Sequence, residues 1–225
     1  MAHLTSGSSA AASTDTAAVE HPEVQWTAEQ QHFMQLAIQQ AKEALQDREV
    51  PIGCVFVRDG QVIGSGYNMT NHSRNATRHA ELEAVDKMLA DHGGDASKVQ
   101  FHRCQLYVTI EPCIMCAGAL SLLGIGQVFF GAGNDKFGGC GSIVPVHQQG
   151  CGSCTHHDDP QAAAHGAGFP AVGGLFAKEA IQLLQDFYIA GNPAAPKPHR
   201  KVMEVPPWQQ AQEQQQRQQP MERDA

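Results

Sequence analysis

His79-Ala80-Glu81 and, further along the chain, Pro112-Cys113-Ile114-Met115-Cys116 are the residues whose types and spacing can do chemistry. One imidazole and two thiols are ligands that zinc favours. A catalytic zinc takes three protein ligands and keeps its fourth position for water. His79, Cys113 and Cys116 supply such a set. Glu81 stands two residues from His79, where a carboxylate can take a proton from that water and return it to a leaving group. On this reading Glu81 is the proton carrier and not a ligand. The competing reading is a zinc that only staples the fold, with a fourth protein ligand drawn from Cys104, Cys140 or the later histidines. A second Cys-x-x-Cys, Cys151 and Cys154 followed by His156 and His157, has the spacing of a further metal site. It lies in a Gly-rich stretch with no order-giving pattern, so it reads as an incidental loop insertion rather than a metal site.

The elements that must position these groups follow from hydrophobic period and punctuation. Thr27-Ala28-Glu29-Gln30 has the form of a capping box. Behind it Phe33, Leu36, Ala37, Ala41, Ala44 and Leu45 recur at helical spacing, which predicts a helix over about 27–46. Ile52 to Val57 and Gln61 to Tyr67 read as strands joined by the turn Arg58-Asp59-Gly60. A polar loop, Asn68 to Arg78, leads to a helix over about 79–91 with His79 and Glu81 in its first turn. Cys104 to Ile110 is the next strand, and Pro112 suits the start of the helix that follows. Cys113 and Cys116 then share one face at the positive end of the helix dipole, which favours thiolate. Gly126 to Gly131 is a further strand, and Asn134 to Ser142 is a Gly-rich loop. Lys178 to Ala190 is a last helix with Ile181, Leu184 and Phe187 on one face, closed by Gly191-Asn192-Pro193. Helices alternating with a hairpin and later strands predict one three-layer α/β/α domain with a mixed central sheet.

The 225 residues suffice for one domain with a substantial core. The expected organisation is a disordered tail over 1–22, a domain over 23–192 with a long Gly/His-rich insertion at 147–174, and a flexible tail over 193–225. The first residues carry no Lys or Arg and include Asp15, which fits neither a secretory signal nor a mitochondrial presequence. No apolar run is long enough for a membrane span, so no membrane association is expected. Seven cysteines make no even disulfide set, and metal thiolates suit a reducing compartment. A cytoplasmic or nuclear location is the expectation, and the sequons at Asn68, Asn71 and Asn75 are then coincidence. The net charge of -8 argues against broad electrostatic adhesion to nucleic acid. An RNA-acting chain with this balance needs a local basic patch or a basic partner.

The His-Ala-Glu and Pro-Cys-x-x-Cys pair is the signature of zinc-dependent nucleobase deaminases, in which water attacks a ring carbon bearing an amine and ammonia leaves. Further segments narrow the likeness. They are Glu49-Val50-Pro51-Ile52-Gly53-Cys54, Asn75-Ala76-Thr77-Arg78-His79-Ala80-Glu81, Leu106 through Ala117, and Asn134-Asp135-Lys136-Phe137-Gly138-Gly139-Cys140-Gly141-Ser142. With Phe187-Tyr188 and Asn192 to Lys197, they make the chain resemble the tRNA adenosine deaminases of the cytidine-deaminase-like superfamily from about Trp26 to Lys201. The likeness is greatest to the catalytic subunit of the eukaryotic heterodimers that convert the wobble adenosine to inosine.

The resemblance implies zinc on His79, Cys113 and Cys116, proton shuttling by Glu81, and a hydrogen bond from Asn68 to the flipped purine. It implies substrate contacts at Pro51 and at Asp135, Lys136 and Phe137 near the anticodon, and tRNA contacts from the basic run Lys197, Arg200 and Lys201. It further implies a paralogous, catalytically reduced partner subunit. Read without the resemblance, Asn68 suits an Asx turn, the 134–142 stretch a plain glycine turn, and the basic run a solvated tail. A free-nucleoside or base deaminase of the same superfamily and a non-catalytic zinc-stabilised RNA-binding subunit are the competing functions. The loop and basic run favour the tRNA enzyme over the first, and Glu81 argues against the second.

Overall fold

Thr27 starts the first helix by the predicted device. Its hydroxyl accepts from the Gln30 amide at 3.1 Å, and the Gln30 side chain accepts from the Thr27 amide at 2.9 Å. The computed structural model describes residues 24–151, 166–195 and 201–211. In chain order its elements are α1 (Ala28–Gln46), β1 (Gly53–Arg58), β2 (Gln61–Tyr67), α2 (Thr70–Ser73), α3 (Ala80–Asp91), α4 (Ala96–Val99), β3 (Gln105–Ile110), α5 (Ile114–Leu123), β4 (Gln127–Ala132), α6 (Val146–Gln149), β5 (Ala171–Gly173) and α7 (Ala177–Ala190). Asp59 and Gly60 take positive φ of 53° and 73° between β1 and β2, as a tight hairpin requires.

The sheet order is β2-β1-β3-β4-β5. β1 pairs antiparallel with β2 and β3, while β3, β4 and β5 run parallel. Strand alternation sorts the two faces. Cys54, Phe56, Leu106, Val108 and Val128 meet Ala84, Val85 and Met88 of α3 and Ala117 and Leu120 of α5. On the other face Val55, Val57, Tyr107 and Phe129 meet α1 and, from α7, Leu183 and Phe187. The Tyr107 and Phe129 rings stack there at 4.8 Å. The expected three-layer α/β/α architecture with a mixed sheet is what the chain adopts.

β1 lies hard against α1. A Cβ on Gly53 would stand 2.3 Å from the Ala41 backbone nitrogen. Gly53→Ala is therefore expected to lower stability by about 1–3 kcal/mol, read as a lower urea midpoint with an unchanged slope. An unchanged midpoint would show that α1 can move off the sheet freely.

The structure departs from the sequence expectations in three places. In α7 the buried residues are Ala180, Leu183, Phe187 and Ala190, and Ile181 is exposed. The helix is rotated from the predicted face because Ala180 packs with Ile110 and Ala132, a small-residue contact that an apolar count passes over. The 147–174 stretch is not an insertion throughout. α6, the buried Phe169 and β5 belong to the domain. β5 is only three residues, Ala-Val-Gly, too short to show a strand period. The excursion itself begins and ends at one point, for the Cys151 amide donates to the Gly166 carbonyl at 3.1 Å. Cys154, His156 and His157 lie outside the described residues, as does the 1–22 tail. Residues 201–211 fold back on the domain. The Met203 amide bonds the Ala190 carbonyl at 2.9 Å, and Trp208 packs on the α1–α7 core.

Candidate metal centre and its cavity

The carboxyl ends of β2, β3 and β4 share one edge of the sheet with the start of β1. α3 and α5 begin at that edge. His79 caps α3 with extended backbone (ψ 158°), and Cys113 caps α5 in the same way (ψ 168°). His79 thus precedes its helix rather than occupying the first turn. This removes a difficulty, because two residues spaced two apart inside a helix diverge. The imidazole turns out of the helix line while Glu81 rides the first turn.

Three side chains converge. The His79 Nδ1 lies 3.5 Å from the sulfur of Cys113 and 3.5 Å from that of Cys116. Tetrahedral zinc with bonds of about 2.0–2.3 Å sets neighbouring N and S ligands about 3.5 Å apart, so the donors present fit that ion. Among the described residues the set within 4.8 Å is His79, Cys113 and Cys116, with no fourth member. Cys104 hydrogen-bonds the Val99 and Gln100 carbonyls instead. Cys140 is buried and is not part of the set. The Cys113 thiol is pushed down to about 4 by its hydrogen bond with Cys116 and by His79, while Cys116 is pushed up by the same bond and by burial. His79 is raised, chiefly by its hydrogen bond to Cys113. A dication at this set would be held by thiolates and a neutral imidazole.

Glu81 is 3% exposed. Burial pushes its carboxyl above the ordinary 4.5, helped by the neighbouring Cys113 charge and opposed by its own amide and by His79. A raised carboxyl beside a metal-ligand cluster suits a group that both takes and gives a proton.

His79, Cys113 and Glu81 line a cavity of about 650 Å³, within the range of small-molecule sites. Asn68, Asp135, Lys136 and Phe137, the residues expected to meet substrate, are among those that line it. Asn68 makes no local Asx turn. Its Oδ1 accepts from the Ala80 amide at 2.9 Å and so holds the start of α3, which leaves the Nδ2 donor as its other polar group. Pro51 is a correction. It is buried and is not part of the lining, while its neighbours Val50 and Ile52 are. Lys201 is described and exposed, and it is not part of the lining. Lys197 and Arg200 lie outside the described residues.

Leu184 and Tyr188 of α7 and Thr70 of α2 also line the cavity, and the sequence reading missed them as site residues. Tyr188 carried a sequence signal only through the Phe187-Tyr188 pair that marks the family resemblance. Thr70 owes its place to Glu49, a fully buried carboxylate. Glu49 accepts from the Thr70 hydroxyl at 3.2 Å and from the amides of Asn71 and His72 at 2.9 and 2.6 Å.

A three-layer sheet that sets one His, two Cys and a buried Glu at the mouth of such a cavity defines a zinc-dependent deaminase of the cytidine-deaminase-like class. The family model for the cytidine and deoxycytidylate deaminase zinc-binding region matches residues 27–132. "tRNA-specific adenosine deaminase 2" of Xenopus tropicalis is 44% identical over 173 residues, 76% of this chain and 95% of that protein. "tRNA-specific adenosine deaminase subunit tad2" of Schizosaccharomyces pombe is 41% identical over 182 residues, 81% of this chain but 43% of that longer protein. The chain belongs to this tRNA-specific adenosine deaminase family. A solved structure from work on A-to-I editing by tRNA:A34 deaminases at the wobble position is 33% identical, with a TM-score of 0.55 over 68% of this chain and 99% of that one. Guanine deaminase from Nitrosomonas europaea, at 21% identity and TM-score 0.52, shares the fold.

Proposed function

We propose that this chain hydrolytically deaminates adenosine to inosine at the anticodon wobble position of tRNA, as the zinc-bearing subunit of a heterodimer with a paralogous, catalytically reduced partner. The observation that carries the chemistry is a three-ligand centre with the buried Glu81 beside it at one cavity wall. Kinship to the Xenopus protein over nearly its whole length supports the substrate. A bound zinc supplies Lewis acidity and makes water at its open position more acidic. The residues of the chain do the rest. Glu81 takes one proton from the attacking water and gives it to the purine ring nitrogen, then takes the proton of the new hydroxyl and gives it to the departing amine, which leaves as ammonia. Asn68 offers its Nδ2 donor to a purine acceptor while its Oδ1 keeps α3 in place. Val50, Ile52 and Ile110 give the base an apolar wall that excludes water. Asp135, Lys136 and Phe137 meet the nucleotides that flank the flipped base. A cytoplasmic or nuclear location goes with that substrate. Among the described residues no helix is long and apolar enough to cross a membrane.

The acidic balance of the chain makes its few exposed cations matter. Lys197, Arg200 and Lys201 follow the last helix. Reversing all three to Glu is expected to weaken tRNA binding and to lower the salt slope of log K by about 2, with zinc content unchanged. A filter-binding series in KCl reads both. The same affinity at every salt concentration would remove the run from the RNA site. The enzymatic reading itself is tested by inosine formation in tRNA, taken up at the end of the Discussion.

A further inference from the structure

Glu111 stands between the last residue of β3 and Pro112, and is 1% exposed. It is neither a metal ligand nor a proton carrier in the mechanism above. Its two oxygens take four hydrogen bonds, all from one loop. Oε2 accepts from the Asn134 amide at 2.8 Å and from the Ser142 hydroxyl. Oε1 accepts from the Cys140 amide at 2.8 Å and the Ser142 amide at 3.1 Å. Asn134 and Ser142 are the two feet of the loop that presents Asp135, Lys136 and Phe137 to the cavity. Phe137 is 63% exposed and has little packing of its own to fix it.

The seat is shaped for the carboxylate. A Cβ on Gly138 would stand 2.6 Å from Oε1. The loop is also tied to the metal-bearing helix. The Ile114 amide donates to the Phe137 carbonyl at 2.9 Å, and the Gly139 amide donates to the Pro112 carbonyl at 2.8 Å. One buried side chain therefore joins the end of β3, the approach to Cys113 and both ends of the cavity rim.

We infer that Glu111 is a positioning residue for the 134–142 rim loop, setting how substrate RNA is held rather than how the base is deaminated. The inference rests on the tRNA reading of the site for its kinetic arm alone. An amide cannot replace the carboxylate. In Glu111→Gln, one orientation of the new NH2 faces the Asn134 amide, and the other faces the amides of Cys140 and Ser142. Backbone N–H groups cannot turn to accept. Ser142→Ala removes a single bond and leaves the three amides satisfied.

The test compares the zinc-loaded wild-type chain with Glu111→Gln and Ser142→Ala, each with its partner subunit. Three quantities are read: zinc per chain, amide hydrogen exchange across 134–142, and kcat and KM on an anticodon stem-loop RNA. For Glu111→Gln the expected result is full zinc, exchange at Cys140 and Ser142 faster by about tenfold or more, and KM raised about tenfold with kcat within about threefold. Ser142→Ala should move exchange and KM the same way by about threefold. If Glu111→Gln does not fold, Ser142→Ala alone decides. Unchanged exchange and KM in the folded variants would overturn the inference. So would loss of zinc, or a fall in kcat at constant KM, because either would place Glu111 in the metal centre or the reaction. If the wild-type chain leaves the RNA unmodified, the functional reading fails, while the exchange measurement still decides the role of Glu111.

Discussion

Glu81→Gln is expected to bind zinc in full and to lose deamination by about 10²–10⁴-fold. The side chain keeps its volume at its buried place in the first turn of α3, so the fold and the ligand set are undisturbed. What it loses is the ability to take and return a proton. The same substitution carries a stability signature in the zinc-free chain. Burial holds the Glu81 carboxyl above its ordinary 4.5. A carboxyl raised on folding binds its proton more tightly in the native state. Folding is therefore penalised at pH above the folded value, and the penalty fades as pH falls through that value toward the ordinary one. Glutamine does not ionise. Zinc-free Glu81→Gln should thus be more stable than wild type at neutral pH, with the difference vanishing in acid. Urea unfolding at several pH values reads this directly. Wild-type turnover in the variant would remove Glu81 from the mechanism. A variant less stable at neutral pH would contradict the burial of a charge there.

Cys116→Ser is expected to weaken zinc binding by about a hundredfold or more and to abolish activity in proportion to zinc lost. Cys116 is fully buried, one turn into α5, with its sulfur 3.5 Å from His79 Nδ1. Serine is a poor ligand for zinc in that position, and the rest of the helix is unaffected. The informative contrast is Cys140→Ser. Cys140 is also buried and sits on the neighbouring loop, but outside the ligand set. It should keep one zinc per chain. Metal analysis after dialysis against a weak chelator separates the two. If Cys140→Ser lost zinc as completely as Cys116→Ser, the centre would have four protein ligands. It would then have no open position for water, and would be a structural staple.

Much of this site is legible in the sequence because its groups are local and chemically distinctive. His79, Glu81, Cys113 and Cys116 each fall beside a helix start that Pro112 or the preceding polar loop announces. The capping box and the Asp59-Gly60 turn are legible for the same reason: their partners lie within a few residues. What the sequence conceals is long-range. The roles of Glu49 and Glu111 depend on amides and hydroxyls 21 to 31 residues away that the fold brings to them. Each reads in isolation as an ordinary surface acid. Asn68 was legible as a site residue, but its bond to the Ala80 amide, 12 residues on, was not. The face of α7 was misread because small residues at a tight contact carry no hydrophobic signal. The return of residues 201–211 to the core was missed because a Pro- and Gln-rich composition says nothing of one well-placed Trp208.

The most direct test of the central claim is inosine formation at the anticodon wobble position of tRNA. It uses the purified zinc-loaded chain, alone and mixed with its paralogous partner subunit. The account predicts inosine at that one adenosine in the mixture, formed about 10²–10⁴-fold more slowly by Glu81→Gln under the same conditions. A mixture with full zinc that leaves the wobble adenosine intact, while deaminating free guanine or cytidine, would contradict it.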